Sequence, residues 1–379
     1  MGPSLIYDLA FVASHSCAFC SLFIINTFIL IKEKQMETFL GIEYSTWWFL
    51  VIGATFTGYA ILDGFDLGAG AIHLFFNKEE SRRIALNAIG PVWDGNEVWL
   101  VIGGGSLFAG FPKVYAAVFS AFYIPFILFL VALIFRAISI EFRSKEPMLW
   151  WRKMWDVSYC ISSIVIALAL GVVLGNVLIG LQIDEAGNFK GNEIDFLNPY
   201  ALMVGVTTLA LFMMHGAIYL VMKTEKRLYT KLTIIVKNTT TFFVISVLLL
   251  SFYTLLYVPH LSQKIKESPW LFFIPVAMVL AVANIARRIT QQRYRQAFLS
   301  SAVVISLLLV LIAVVLFPNI VLSSMNEHYN LTVHNASSSS KSLGIMLIFA
   351  AIGVPLVAVY TGFVYKTFRG KVKLDEMSY

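Results

Sequence analysis

The sequence predicts an all-α, polytopic membrane protein, and three observations carry that prediction. The 379-residue chain is 59% hydrophobic and only 13% charged, whereas a soluble domain holds about 45–50% apolar and about 25% charged residues. Its mean hydropathy is +0.79. Apolar runs of the roughly 20 residues that a bilayer's hydrocarbon demands recur almost end to end, leaving too little polar sequence for a separate aqueous domain.

Taken in order, apolar stretches bounded by charge, Pro or Gly clusters give nine core helices, at 46–75, 89–110, 114–137, 155–181, 199–222, 238–258, 270–288, 296–317 and 342–367. Each is long enough, at about 1.5 Å per residue, to cross about 30 Å of hydrocarbon. The loops at 182–198 and 336–342 read as solvated connectors. Alternate loops divide the cations sharply: 21 Lys and Arg flank one side of the nine helices and five flank the other. The positive-inside rule then puts the start of the core outside and the C-terminus in the cytoplasm.

The same rule bears on the N-terminus. A tenth apolar run, at 9–31, would have to span with Lys32 and Lys34 on the outer side, the disfavoured orientation. Met36-Glu-Thr-Phe-Leu40 offers a natural start just before the first well-behaved helix. Residues 1–35 are therefore expected to be an upstream extension and 36–379 the membrane domain.

Several function classes fall away. The net charge of +6 does not mark a nucleic-acid binder, because the excess Lys and Arg sit in the loops of one side. Cys17, Cys20 and Cys160 make no disulfide framework, and Cys17-Ala-Phe-Cys20 lacks the His of a c-type haem attachment. Three of the six histidines, His260, His328 and His334, fall in external loops, and His73 ends helix 1; only His215 is well placed inside a core span. A bis-His haem needs two facing histidines, so the residues predict no redox centre in this chain.

The chemistry-bearing residues cluster instead in the first two helices. Ionisable groups inside a span cost about 2.5–3.5 kcal/mol each on insertion scales, so they face the bundle interior and mark a pathway or a partner. Helix 1 carries Asp63 and Asp66, and helix 2 carries Trp93, Asp94 and Glu97. The i, i+3 spacing of each acidic pair puts both carboxylates near one helical face. Helix 3 delivers Arg136 to the same end, where its guanidinium pairs with a carboxylate. Four acids against one Arg suit a proton pathway opening to the cytoplasm. Bracing of helix ends is the alternative for Asp63, Asp66 and Glu97, and close packing accounts for Gly64, Gly68, Gly171, Gly175 and the Gly103–Gly105 run. The acidic cluster alone equally permits a proton-coupled secondary transporter or channel, although no pair of broken helices in inverted halves is evident.

The block Gly58-Tyr-Ala-Ile-Leu-Asp63-Gly-Phe-Asp66-Leu-Gly-Ala-Gly70, then Arg82-Arg83, then Pro91-Val-Trp93-Asp94-Gly-Asn96-Glu97-Val-Trp99, resembles subunit II of the cytochrome bd quinol oxidases. So does the continuation through Phe135-Arg136, Arg143-Ser-Lys145 and Trp151-Arg-Lys-Met-Trp155-Asp156. The resemblance is most specific over 58–156 and mostly hydropathic afterwards. It implies a nine-helix subunit of two four-helix bundles plus a peripheral helix, paired with a haem-bearing subunit I and leaving room for a small accessory subunit. Haems b and d would lie in subunit I, and this subunit would bind none alone, although some members hold a quinone structurally. The family's tryptophan–aspartate pair falls on Trp93 and Asp94, its helix 1 aspartates on Asp63 and Asp66, and its helix 3 arginine on Arg136. Glu97 stands where some relatives carry Gln. The implied complex sits in the bacterial cytoplasmic (inner) membrane and passes electrons from membrane quinol to dioxygen, with this subunit contributing to proton uptake.

Overall fold

The computed structural model describes residues 38–372 and Leu374; the expectation for residues 1–35 lies outside them. Among the described residues the chain is mostly helical: α1 Tyr44–Ala71, α2 Glu79–Ile89, α3 Trp93–Gly110, α4 Pro112–Ala121, α5 Tyr123–Phe142, α6 Leu149–Ile179, α7 Pro199–Lys223, α8 Lys226–Tyr257, α9 His260–Glu267, α10 Phe273–Thr290, α11 Tyr294–Leu316 and α12 Ser340–Thr367. Eight helical segments are long and apolar enough to cross a membrane. The chain is a multi-pass membrane protein.

The expected spans map onto these helices with three instructive differences. The second starts at Trp93 and not at residue 89, because Ile89 ends the separate short helix α2 and Gly90-Pro91-Val92 turns the chain. Its polar first turns also leave α3 out of the eight segments selected by hydropathy. The third is broken at Phe122, where α4 gives way to α5 with φ −93° and ψ 30°. Pro125 explains the break, since it has no N–H for the carbonyl four residues earlier and its ring crowds that carbonyl. The fourth and sixth begin earlier than hydropathy predicts, at Leu149 and Lys226. Their backbone helices continue past the apolar stretch into sequence that hydropathy alone reads as loop.

The core is built around α7, which packs against α1, α6, α8 and α11. The α1–α7 crossing is a backbone contact: a Cβ on Gly68 would lie 1.7 Å from the Phe212 carbonyl oxygen, and one on Gly216 would lie 2.5 Å from the Phe65 oxygen. Gly171 and Gly175 do the same for α6 against Gly205 and Ala201 of α7. Close approach through small residues is how helices gain packing where lipid supplies no hydrophobic drive. By contrast, Gly104 and Gly105 face open space. At the edge lies α12, whose sole buried residue is Leu343.

The two ends of the bundle are chemically distinct. At one, the turns carrying most of the Lys and Arg meet: the Lys223 ammonium donates to the Phe368 carbonyl at 2.7 Å, and Lys371 donates to the Thr224 carbonyl at 2.7 Å. At the other, the antiparallel pair β1 (Asn319–Val321) and β2 (Leu331–Thr332) packs over the 181–198 segment through the Leu181 N–H and the Leu322 carbonyl at 2.8 Å.

Candidate functional site

Two buried clusters of charge lie toward the basic end of the molecule. The first joins α1, α3, α5 and α12. Arg136, on α5, grips Asp63 of α1 with both terminal nitrogens, Nη1 reaching Oδ2 at 3.1 Å and Nη2 reaching Oδ1. Neither side chain has any exposed surface. Glu97 of α3 brings Oε2 to 3.7 Å from Arg136 Nη1, within ion-pairing range but beyond a hydrogen bond.

Asp66, one turn further along α1, takes a different partner. Its Oδ2 accepts from Asn96 Nδ2 at 2.7 Å, while the same amide nitrogen donates to the Leu62 carbonyl at 3.2 Å. Asn96 Oδ1 in turn accepts from the Tyr365 hydroxyl at 3.0 Å. The Tyr159 hydroxyl donates to the Asp66 main-chain carbonyl at 3.3 Å. Asp66 Oδ1 is buried without a partner among the described residues. One guanidinium thus faces three carboxyl groups, two of them fully enclosed. Desolvation makes full ionisation of such a set costly, so the cluster can hold an exchangeable proton.

Of the residues picked out by sequence, Asp63, Asp66, Glu97 and Arg136 are brought together, and Trp93 packs into the adjoining core. Asp94 is exposed and makes no hydrogen bond or ion pair with the cluster among the described residues. Its neighbours on the uncovered surface are Val98 and Val101, 44% and 71% exposed. The i, i+3 spacing leaves about 60° between two side chains around a helix. That rotation is enough to send Glu97 to Arg136 and Asp94 outward.

The second cluster was not predicted. Asp156 of α6 accepts from Arg143 Nε at 2.6 Å and from Arg82 Nη1 at 2.9 Å, and lies 2.6 Å from His73 Nε2. Arg143 also donates to Glu79 at 2.9 Å, and Arg152 joins Glu79 at 3.1 Å. Burial alone works against the Arg143 charge, but Asp156 and Glu79 outweigh it and raise the guanidinium above its ordinary basicity. The network ties the end of α1, the start of α2, the end of α5 and the start of α6 into one knot. In the sequence, Arg82, Arg143 and Asp156 stand out only as parts of the family-like block, and nothing there announces that they meet one another and His73.

His215 sits at mid-height in α7, its ring stacked on Phe298 with centroids 4.4 Å apart. Both ring nitrogens are engaged, Nδ1 with the Ser301 hydroxyl at 2.6 Å and Nε2 with the Ile61 carbonyl at 3.0 Å.

Residues 44–368 match the family model described as cytochrome bd terminal oxidase subunit II. The chain belongs to that family. Among the subunit II proteins it resembles, cytochrome bd-I ubiquinol oxidase subunit 2 of Escherichia coli (strain K12) is 32% identical over 361 residues, covering 87% of this chain and 95% of the relative. Cytochrome bd ubiquinol oxidase subunit 2 of Bacillus subtilis (strain 168) is 32% identical over 333 residues, covering 87% and 97%. The fold of this subunit II chain also matches a chain of the bd oxidase from Geobacillus thermodenitrificans, with a TM-score of 0.71 at 17% identity, over 86% of this chain and 98% of that one.

Proposed function

We propose that this chain is the haem-free subunit II of a cytochrome bd-type quinol:dioxygen oxidoreductase, and that its buried carboxyl cluster contributes to proton uptake from the cytoplasm. In such a complex electrons from membrane quinol reduce dioxygen to water, and the protons for that water enter from inside. The α3 helix acts as a ninth span. Helices α1, α3, α4–α5 and α6 form one four-helix bundle, α7, α8, α10 and α11 the second, and α12 stands beside them. The basic end faces the cytoplasm.

Haem ligation does not fit His215, the histidine inside a core span. His215 has both nitrogens satisfied by its own fold, while His73 is held by Asp156 through Nε2 and leaves Nδ1 without a partner among the described residues. In this reading the haems b and d belong to subunit I. The observation that carries the proton role is the charge imbalance around Arg136, whose one guanidinium contacts both Asp63 and Glu97. In this reading Asp63 stays paired while Asp66 and Glu97 exchange protons. Asp94, on the uncovered face of α3, presents a carboxylate to subunit I and passes protons across the boundary. Membership of an oxidase subunit family displaces the transporter alternative.

The test is purification of the assembled complex carrying Asp66→Asn or Glu97→Gln, with haem content measured beside quinol oxidase turnover across pH. Slower turnover at full haem content supports the reading. Wild-type turnover at every pH in both variants would remove the cluster from the proton path.

A further inference from the structure

Helix α12 packs weakly, yet it delivers one polar group deep into the bundle. Its outer end is held by the Trp48 indole donating to the Leu343 carbonyl at 2.9 Å. Beyond its inner end the tail is latched by Lys223 on the Phe368 carbonyl, by the Val372 N–H on the Lys223 carbonyl at 2.9 Å, and by Lys371 on the Thr224 carbonyl. Between these anchors Tyr365 turns inward, its ring edge-on to Phe65 with centroids 6.4 Å apart, and its hydroxyl reaches Asn96 Oδ1.

That bond is one of three that fix the Asn96 amide, and it is the one made to the amide oxygen. Asn96 is 2% exposed, and its nitrogen end faces two acceptors, the Asp66 carboxyl and the Leu62 carbonyl. Its oxygen end faces one donor, the Tyr365 hydroxyl. A flipped amide would set oxygen against both acceptors and NH2 against the hydroxyl. Asp66 Oδ2 receives its donor from this amide, and Oδ1 has no partner among the described residues. The geometry of the Asp66 carboxyl therefore depends on a residue of a different, peripheral helix.

We propose that Tyr365 is a positioning residue for Asp66, acting through the Asn96 amide, and that α12 and its latched tail serve to hold that hydroxyl in place. The inference rests on the proton-uptake reading and specifies which residues set the carboxyl's orientation. Without the hydroxyl, the buried Asn96 Oδ1 loses its donor, and the amide that holds Asp66 Oδ2 is fixed by its nitrogen end alone.

The experiment uses the whole oxidase complex, with turnover measured from pH 5 to 9 and haem content checked in each preparation. The expected result is that Tyr365→Phe lowers turnover roughly threefold to tenfold, the range set by loss of one buried hydrogen bond, and displaces the pH profile. Tyr360→Phe, which removes a hydroxyl from an exposed position of the same helix, should leave both unchanged. Because Tyr365 acts through Asn96, the double variant Asn96→Ala/Tyr365→Phe should be no slower than Asn96→Ala alone. Additive losses in the double variant, or a wild-type pH profile in Tyr365→Phe while Asp66→Asn slows turnover, would overturn the positioning role and leave the proton reading standing. Wild-type turnover in Asp66→Asn would overturn both.

Discussion

Arg136 and Asp63 meet in a two-point grip between α5 and α1, and neither side chain is exposed. A planar guanidinium matched to a carboxylate is the strong form of a charge-assisted contact. Its removal from one side leaves the opposite charge buried and uncompensated.

Asp63→Asn or Arg136→Gln should therefore cost about 3–5 kcal/mol, the range for breaking one partner of a buried pair. The complex is expected to melt at a lower temperature and to be recovered in lower yield. A double Asp63→Asn/Arg136→Gln variant should regain part of the loss, because neither member of this fully buried pair is left charged, although Glu97 still loses its cation. Thermal unfolding of the purified complex, followed by haem absorbance, checks this.

Asp156→Asn should be comparably damaging although it lies apart from the Arg136 cluster. It would leave Arg82 and Arg143 facing a neutral amide in a site where Asp156 is 1% exposed. The connection between α5 and α6 should open. Limited proteolysis is expected to cut near 143–148 in the variant and not in the parent.

Glycine positions divide into two kinds. Gly68→Ala puts a methyl group against the Phe212 carbonyl and should prevent normal α1–α7 packing, read as loss of assembled complex. Gly53→Ala, on the same helix with nothing within 4 Å, should be neutral or slightly stabilising by up to about 1 kcal/mol, since alanine favours helix.

Asp94→Asn separates conduction from folding. The carboxylate is exposed and, among the described residues, makes no hydrogen bond or ion pair, so the melting temperature should stay near that of the parent. Turnover is expected to fall, and by more than in Asp66→Asn, because Asp94 faces the boundary that every proton crosses in the proposed path. Full turnover at full haem content across pH would assign Asp94 a structural role or none.

Much of this was legible along the chain. Nine apolar stretches, the one-sided distribution of Lys and Arg, and the block from Gly58 to Trp99 determine by themselves a multi-pass helical protein, the end at which its charges gather, and the family to which it belongs. These signals are local: hydropathy needs only a window of about 20 residues, and a motif needs only its own neighbours. Tertiary structure alone decided which carboxylate meets the arginine. Asp63 and Asp66 are equivalent by spacing, as are Asp94 and Glu97, but each pair is separated by about 60° around its helix. The rotation of α1 is set by its backbone contact with α7 at Gly68 and Gly216, which directs Asp63 to Arg136 and Asp66 to Asn96. Asn96, Tyr365 and the His73–Asp156 knot were hidden for the same reason: their partners lie 269 and 83 residues away, and only the packing of helices brings them within a hydrogen bond.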